Sequence, residues 1–210
     1  MQVVNDLLEY EKDLYSRGYT LIAGCDEAGR GPLCGPVVAS AVILPKNYVL
    51  EGLTDSKKLT EKQREKFFPI IMRDAISVGV SIVDNNKIDE INILEASRFA
   101  MNDAVSKLSV KPEYILTDAM DLRVDNCLPI IKGDLKSITI AAASVIAKVT
   151  RDRIMYEYDE KYPEYEFKKH KGYPTKLHLQ KIEEFGLLDI YRKSYKPVKN
   201  YLERKQDETS

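Results

Sequence analysis

Residues 19–32 read Tyr19-Thr20-Leu21-Ile22-Ala23-Gly24-Cys25-Asp26-Glu27-Ala28-Gly29-Arg30-Gly31-Pro32: an apolar run that ends on two adjacent acids and passes straight into a glycine-rich loop. The run has the length and composition of a buried strand, so both carboxyl groups stand where a strand surfaces. Burying adjacent carboxylates costs several kcal/mol unless a cation compensates them. A bare Asp-Glu dipeptide is more often an exposed turn; the loop that follows changes the reading. Gly29-Arg30-Gly31 offers unhindered backbone N–H groups beside a guanidinium, which suits a phosphate or a sugar hydroxyl approached closely by main chain. Acids and loop together point to a metal site open to a substrate.

Working outward, Val37-Val38-Ala39-Ser40-Ala41-Val42-Ile43-Leu44 is a second β-type run, and the Gly/Pro loop between it and the first makes an antiparallel pair with an elaborate turn. Thr60-Glu61-Lys62-Gln63 is a capping box that opens a helix to about Ala75. Ser77 to Val83 is predicted as a third strand. Ile93, Ala96, Ala100, Met101, Ala104, Val105 and Leu108 share one face of a second helix. Glu113 to Asp118 and Leu128 to Lys132 are predicted as the fourth and fifth strands, and a long helix is predicted from about Ile138 to Lys161. Ahead of them, Val4, Leu7, Leu8, Leu14 and Tyr15 recur near helical spacing. This order of elements gives an α/β fold with a mixed five-stranded sheet flanked by helices. Residues 1–18 form an N-terminal helical segment, 19–162 the main body and 163–204 a helical C-terminal extension, with 205–210 a disordered tail.

With 210 residues and 44% hydrophobic content the chain can bury one full core, and two complete domains are not expected. The three cysteines, Cys25, Cys34 and Cys127, lack CxxC spacing, so neither a disulfide framework nor a zinc site is supported. The N-terminus has no basic start followed by an apolar segment, and the longest apolar stretch, Pro36 to Leu44, is too short for a bilayer. A cytoplasmic, membrane-free monomer is expected. Net charge is −1, but residues 168–199 hold nine basic and three acidic side chains, making the C-terminal part a candidate nucleic-acid face.

Asp26-Glu27 and Asp118 all terminate predicted strands, where ligands of open α/β sheets gather, and Asp134 in Lys132-Gly133-Asp134 can reach the same end. Four carboxylates around one spot repel strongly and call for divalent cations; oxygen ligands without His or Cys select Mg²⁺ or Mn²⁺. Successive strand residues point to opposite faces, so either the strand bends at Glu27 or its backbone carbonyl serves as the ligand. Asp152, four residues after Lys148 on a helix, reads as half of a surface ion pair rather than as a fourth ligand. His170 and His178 are assigned backbone or phosphate contacts, not catalysis.

The chain strongly resembles the type 2 ribonuclease H family, ribonuclease HII, of the bacterial type. The resemblance rests on Asp26 through Pro36, Asp55-Ser56-Lys57-Lys58-Leu59, the strand ending at Asp118, Lys132-Gly133-Asp134, Ala142 through Arg153, and His170-Lys171-Gly172-Tyr173-Pro174-Thr175. It covers about residues 19–200. It implies a ribonuclease H-like fold and assigns Asp26, Glu27, Asp118 and Asp134 as the acidic, metal-holding set. It further implies two-metal-ion hydrolysis of the RNA strand of RNA/DNA hybrids and incision on the 5′ side of ribonucleotides embedded in duplex DNA, in ribonucleotide excision repair. Gly29, Arg30 and Gly31 are then the contacts to the 2′-hydroxyl, their main chain offering donors and acceptors alike. Tyr173 supplies an aromatic plane against the sugar and a hydroxyl to bond it, and Lys57 and Lys171 contact phosphates. Ala119 departs from the glycine that many relatives carry after the strand-4 aspartate. Rival readings are a metal-dependent exonuclease or phosphatase and a non-catalytic hybrid-binding module, which a cleavage assay separates.

Overall fold

Strand β1 (Ile22–Ala28) is the middle of a five-stranded sheet, in a computed structural model that describes residues 7–208. β2 (Val37–Ile43) and β3 (Ser77–Val83) extend it antiparallel on one side, while β4 (Tyr114–Asp118) and β5 (Cys127–Ile130) extend it parallel on the other. The sheet is therefore mixed, in the order β3-β2-β1-β4-β5. In the antiparallel half β1 and β2 are joined by the glycine-rich loop and β2 and β3 through α2 (Glu61–Asp74); the parallel pairing of β1 with β4 requires the long crossover through α3 (Asn85–Ser106).

Both faces are covered, which is why β1 and β2 are apolar without alternation. On one face α3 packs Ala96, Ala100, Met101 and Ala104 against Cys25, Val37, Ala39 and Ala41. On the other, α2 (Glu61–Asp74) and α4 (Ile138–Lys161) pack Phe67, Ile71, Ala142 and Ile146 against Val42 and Leu44. Gly24 permits one of the close approaches: a Cβ there would lie 2.1 Å from the backbone carbon of Thr139, so any side chain would push α4 off the sheet. The capping box of α2 forms as expected, Thr60 accepting from the Gln63 N–H and Gln63 accepting from the Thr60 N–H.

α3 begins about two turns earlier than the periodicity of Ile93–Leu108 predicts. Asp84 caps the helix by accepting from the Lys87 N–H, and the chain breaks helical geometry at Asn92 (φ 66°), whose side chain then accepts from the N–H groups of Leu94 and Glu95. The predicted helix is the second of these two pieces. β5 ends at Ile130, because Lys132 adopts a left-handed conformation (φ 57°) that reverses the chain into a 3-10 turn at Gly133–Leu135.

α1 (Glu9–Ser16) carries Leu14 of the predicted amphipathic set into the core, while Val4 lies outside the described residues. Its Glu11 is fully buried and accepts hydrogen bonds from Ser137 Oγ, Thr139 N and Thr139 Oγ1 at 2.6, 3.1 and 2.8 Å. A carboxylate thus closes the N-terminus of α4 from 126 residues away, where the helix dipole favours negative charge.

After α4 the chain forms α5 (Phe167–His170), α6 (Lys176–Phe185) and α7 (Lys196–Asp207). Tyr165, Phe167, Ile182, Tyr191 and Val198 build a separate cluster on Leu33, Cys34 and Met155. The expectation of a disordered tail from Lys205 is corrected: Lys205, Gln206 and Asp207 continue α7, supported by Lys205–Glu208 pairing at 2.7 Å.

Candidate active site

Parallel pairing sets the first two acids level. Cys25 of β1 lies opposite Thr117 of β4, so Asp26 and Asp118 follow side by side at the carboxyl ends of the strands. Asp118 is paired with Ile130 of β5, and the reversal at Lys132 swings Asp134 back toward it. The Gly133 N–H donates to Asp118 Oδ1 at 2.8 Å and locks that turn. Carboxylate oxygens of Asp26, Asp118 and Asp134 all lie within 4.8 Å of one another.

Their electrostatics follow from burial and mutual repulsion. Desolvation, reinforced by Glu27 and Asp118, holds Asp26 well above the usual carboxylate range. Burial, with Asp118 and Asp55 adding, pushes Asp134 up to about 7. Asp55 shares a hydrogen bond with Asp134 and accepts one from the Lys57 N–H at 2.8 Å. Burial works against the charge on Lys57, but Asp26, Asp55, Asp134 and Asp118 outweigh it and raise its pKa. Lys57 is thus a countercharge shared by the aspartates.

Glu27 stands apart from the three-aspartate group. β1 stays paired through Ala28, so strand alternation is kept and no bend turns Glu27 onto the face of Asp26. Its Oε1 lies 3.5 Å from Arg30 Nη1, while its Oε2 is buried without a hydrogen-bond partner. Burial raises the Glu27 pKa, with Arg30 opposing. An all-oxygen donor set of close carboxylates with an orphaned carboxylate oxygen beside it fits a hard divalent cation.

A cavity of about 400 Å³ opens onto the acids, lined by Glu27, Gly29, Arg30, Gly31, Ser56, Lys57, Asp118, Lys148 and Tyr173. The ring of Tyr173, 41% exposed, packs over Gly31, 3.3 Å from where a Cβ would stand. Gly29 has φ +103°, and a Cβ on it would meet Arg151 Nε at 2.2 Å, so both conformation and space demand glycine. Of the two expected phosphate lysines, Lys57 lines the cavity. Lys171 does not: its Nζ lies 3.6 Å from the Tyr156 ring centroid and donates to the Lys168 carbonyl.

Several placements differ from the sequence reading. Asp152 is buried, not superficial, held by Lys148 at 2.6 Å and Arg64 at 3.6 Å, because α4 is covered by α2 along that face. Its partner Lys148 reaches the cavity, a role the i, i+4 spacing hinted at without revealing. The basic segment is less uniform than its charge count: Arg192 is fully buried and Lys181 is tied to Glu166 and Glu184. His170 and His178 make backbone bonds, one of the two expected kinds of contact, and do so as a buried pair stacked 4.1 Å apart. Burial drives the His178 pKa down to about 4. Ala119 adopts φ +54°, which explains why glycine suits that position.

Nothing in the sequence marked Arg151, inside the Ala142–Arg153 string, or Arg192, one of the nine basic residues of 168–199, as buried. Arg151 donates to the carbonyls of Pro36, Lys171 and Cys34, and Arg192 to those of Gly29, Arg30 and Gly35, at 2.7 to 3.3 Å. The glycine-rich loop therefore rests on two buried guanidinium groups supplied by α4 and the C-terminal part of the chain.

The comparisons agree with this geometry. A model of the family described as Ribonuclease HII matches residues 23–198. A ribonuclease HII of Acholeplasma laidlawii is 54% identical over 199 residues, covering 95% of this chain and 98% of that protein. One from Bacillus subtilis is 53% identical, covering 93% and 77%. The crystal structure of the ribonuclease H2 from Pyrococcus horikoshii superposes with a TM-score of 0.76 at 29% identity, covering 88% of this chain and 98% of that one. With the fold, the acidic group and the sequence all in agreement, the chain belongs to the ribonuclease HII family, a family of metal-dependent endonucleases.

Proposed function

We propose that this protein hydrolyses the RNA strand of RNA/DNA hybrids and incises on the 5′ side of ribonucleotides embedded in duplex DNA, leaving 5′-phosphate and 3′-hydroxyl ends, as a monomer in the cytoplasm. The observation that carries the reading is the convergence of three carboxylates from separate elements within 4.8 Å, beside a cavity walled by backbone donors and an exposed tyrosine. Asp26, Asp118 and Asp134, with Glu27 alongside, would hold Mg²⁺ or Mn²⁺. Two such ions, when bound, would supply water activation and leaving-group stabilisation for in-line phosphodiester displacement.

The chain's own groups do the rest. Lys57 and Lys148 bring positive charge to the cavity wall, where a backbone phosphate enters. Arg30, half-exposed and only loosely paired with Glu27, is free to swing onto a neighbouring phosphate. Tyr173, packed over Gly31, presents its ring to the sugar and its hydroxyl to the 2′-OH, and so couples the ribose to the scissile bond. Burial holds Asp26 above the usual carboxylate range and pushes Asp134 up to about 7, so cations binding there would compete with protons. Membership of the ribonuclease HII family supports the substrate class.

One assay tests this: cleavage of matched DNA duplex, RNA/DNA hybrid and duplex with a single ribonucleotide, each with chelator, Mg²⁺ or Mn²⁺. Cation-dependent cutting of the second and third substrates, with the first intact, is expected. Cutting of plain DNA at a comparable rate, or cleavage in chelator, would overturn the reading.

A further inference from the structure

Two carbonyl groups of the Gly29-Arg30-Gly31 loop face away from the cavity. Arg192 Nη2 donates to the Gly29 carbonyl at 2.7 Å, and Arg192 Nη1 donates to the Arg30 carbonyl at 3.1 Å. Tyr195 Oη donates to the same Arg30 carbonyl at 2.5 Å and itself accepts from Arg192 Nη1 at 2.9 Å. All peptide bonds here are trans, and in a trans peptide the C=O and N–H of one unit point in opposite directions. With both carbonyls fixed inward on Arg192, the N–H groups of Arg30 and Gly31 must point outward, into the cavity that these residues line. Neither N–H donates to another protein group among the described residues. Two successive outward N–H groups beside a residue of positive φ form a concavity that receives an oxygen lone pair.

We propose that Arg192, with Tyr195, is a positioning residue for ribonucleotide recognition: it fixes the two peptide units so that the loop meets the substrate as a pair of donors. The two units thereby read an oxygen as acceptor, and the sequence expectation that they offer donors and acceptors alike is narrowed. The burial of Arg192 supports a purpose beyond stability. Its guanidinium is fully buried and hydrogen-bonded to carbonyls and a phenol, with no carboxylate among its hydrogen-bond partners and Asp89 acting on it only through space. Burying a charge without a hydrogen-bonded carboxylate is costly, whereas here the guanidinium polarises the peptide units in the sense that strengthens their outward N–H groups. The inference rests on the proposed ribonucleotide reading.

The test compares wild type, Tyr195→Phe and Arg192→Lys. Affinity for a duplex with one ribonucleotide and for the identical all-DNA duplex is measured by anisotropy in Ca²⁺, and the ¹⁵N-edited amide resonance of Gly31 and the thermal midpoint are recorded on the same samples. Weakening two N–H bonds should lower the ribonucleotide-to-DNA affinity ratio about threefold in Tyr195→Phe and about tenfold in Arg192→Lys. Affinity for all-DNA duplex should stay unchanged, and the Gly31 resonance should move in both variants. A folded Tyr195→Phe with the wild-type ratio overturns the proposal. If Arg192→Lys does not fold, Tyr195→Phe decides alone. A wild-type ratio of one refutes the ribonucleotide reading instead; the Gly31 resonance in Tyr195→Phe then decides whether the loop is positioned by this pair.

Discussion

Asp118→Asn should stabilise the cation-free protein while removing its activity. Asp118 is the carboxylate whose charge raises the pKa of Asp26, Glu27 and Asp134 together. Asparagine keeps an acceptor for the Gly133 N–H, so the turn that carries Asp134 survives. Two unit charges at the 4.8 Å limit of this group repel by about 3.5 kcal/mol at an effective dielectric of about 20. Above pH 7, where Asp134 is ionised, the Asp118–Asp134 pair operates. Partial exposure of Asp118 screens it to about 1–2 kcal/mol, equivalent to a midpoint rise of about 2–8 °C for a chain of this size. The sign follows from linkage: a carboxyl whose folded pKa lies above its unfolded value costs stability at high pH, and the cost fades as pH falls through the folded pKa of about 7. The gain should therefore be largest near pH 8 and small near pH 5.5. Scanning calorimetry in chelator and in Mg²⁺ at both pH values checks this, with Mg²⁺ stabilising wild type far more than the variant. A fall in midpoint in chelator at pH 8, or equal stabilisation by Mg²⁺ in both proteins, would refute the reasoning.

Tyr173→Phe should lose part of the activity at a single embedded ribonucleotide and Tyr173→Ala much more, since stacking is worth about 1–3 kcal/mol; isothermal titration of Mn²⁺ should be unchanged, and wild-type cutting by Tyr173→Ala would remove the residue from the mechanism. Asp152→Asn leaves Lys148 and Arg64 short of a buried partner and should cost about 2–4 kcal/mol in denaturant unfolding; a cost near zero would mean the pair is not buried in solution. Ala119→Gly relieves a left-handed conformation and should add about 1 kcal/mol, read as a shift of the urea midpoint at constant slope. Neutralising Lys169, Lys171 and Lys176 together should lower the log-log salt slope of duplex binding by about 0.9 for each phosphate these lysines neutralise in the wild type, and an unchanged slope would make that surface a bystander.

The amino-acid sequence by itself determined what depends on neighbours along the chain. Strand periodicity, the Thr60–Gln63 capping box, and acids standing at the ends of apolar runs are local patterns, and the structure keeps them: β3 and α4 begin and end where the pattern says, Asp118 closes β4, and Asp26 stands two residues before the end of β1. The motif strings extended this to the family and to Asp134. Features set by contacts between distant segments were not legible. That Asp152 is buried depends on α2 lying over α4; that Glu27 stands off the aspartate group depends on β1 keeping its pairing to Ala28; that the Gly29 and Arg30 carbonyls turn inward depends on Arg192, 163 and 162 residues away. In sequence Arg192 is one of nine cations in a basic stretch; in the fold it is a buried fork under a loop. Charge and hydropathy specify which side of the surface a residue prefers, but a guanidinium surrounded by carbonyl oxygens reverses that preference, and only the tertiary structure brings those oxygens together.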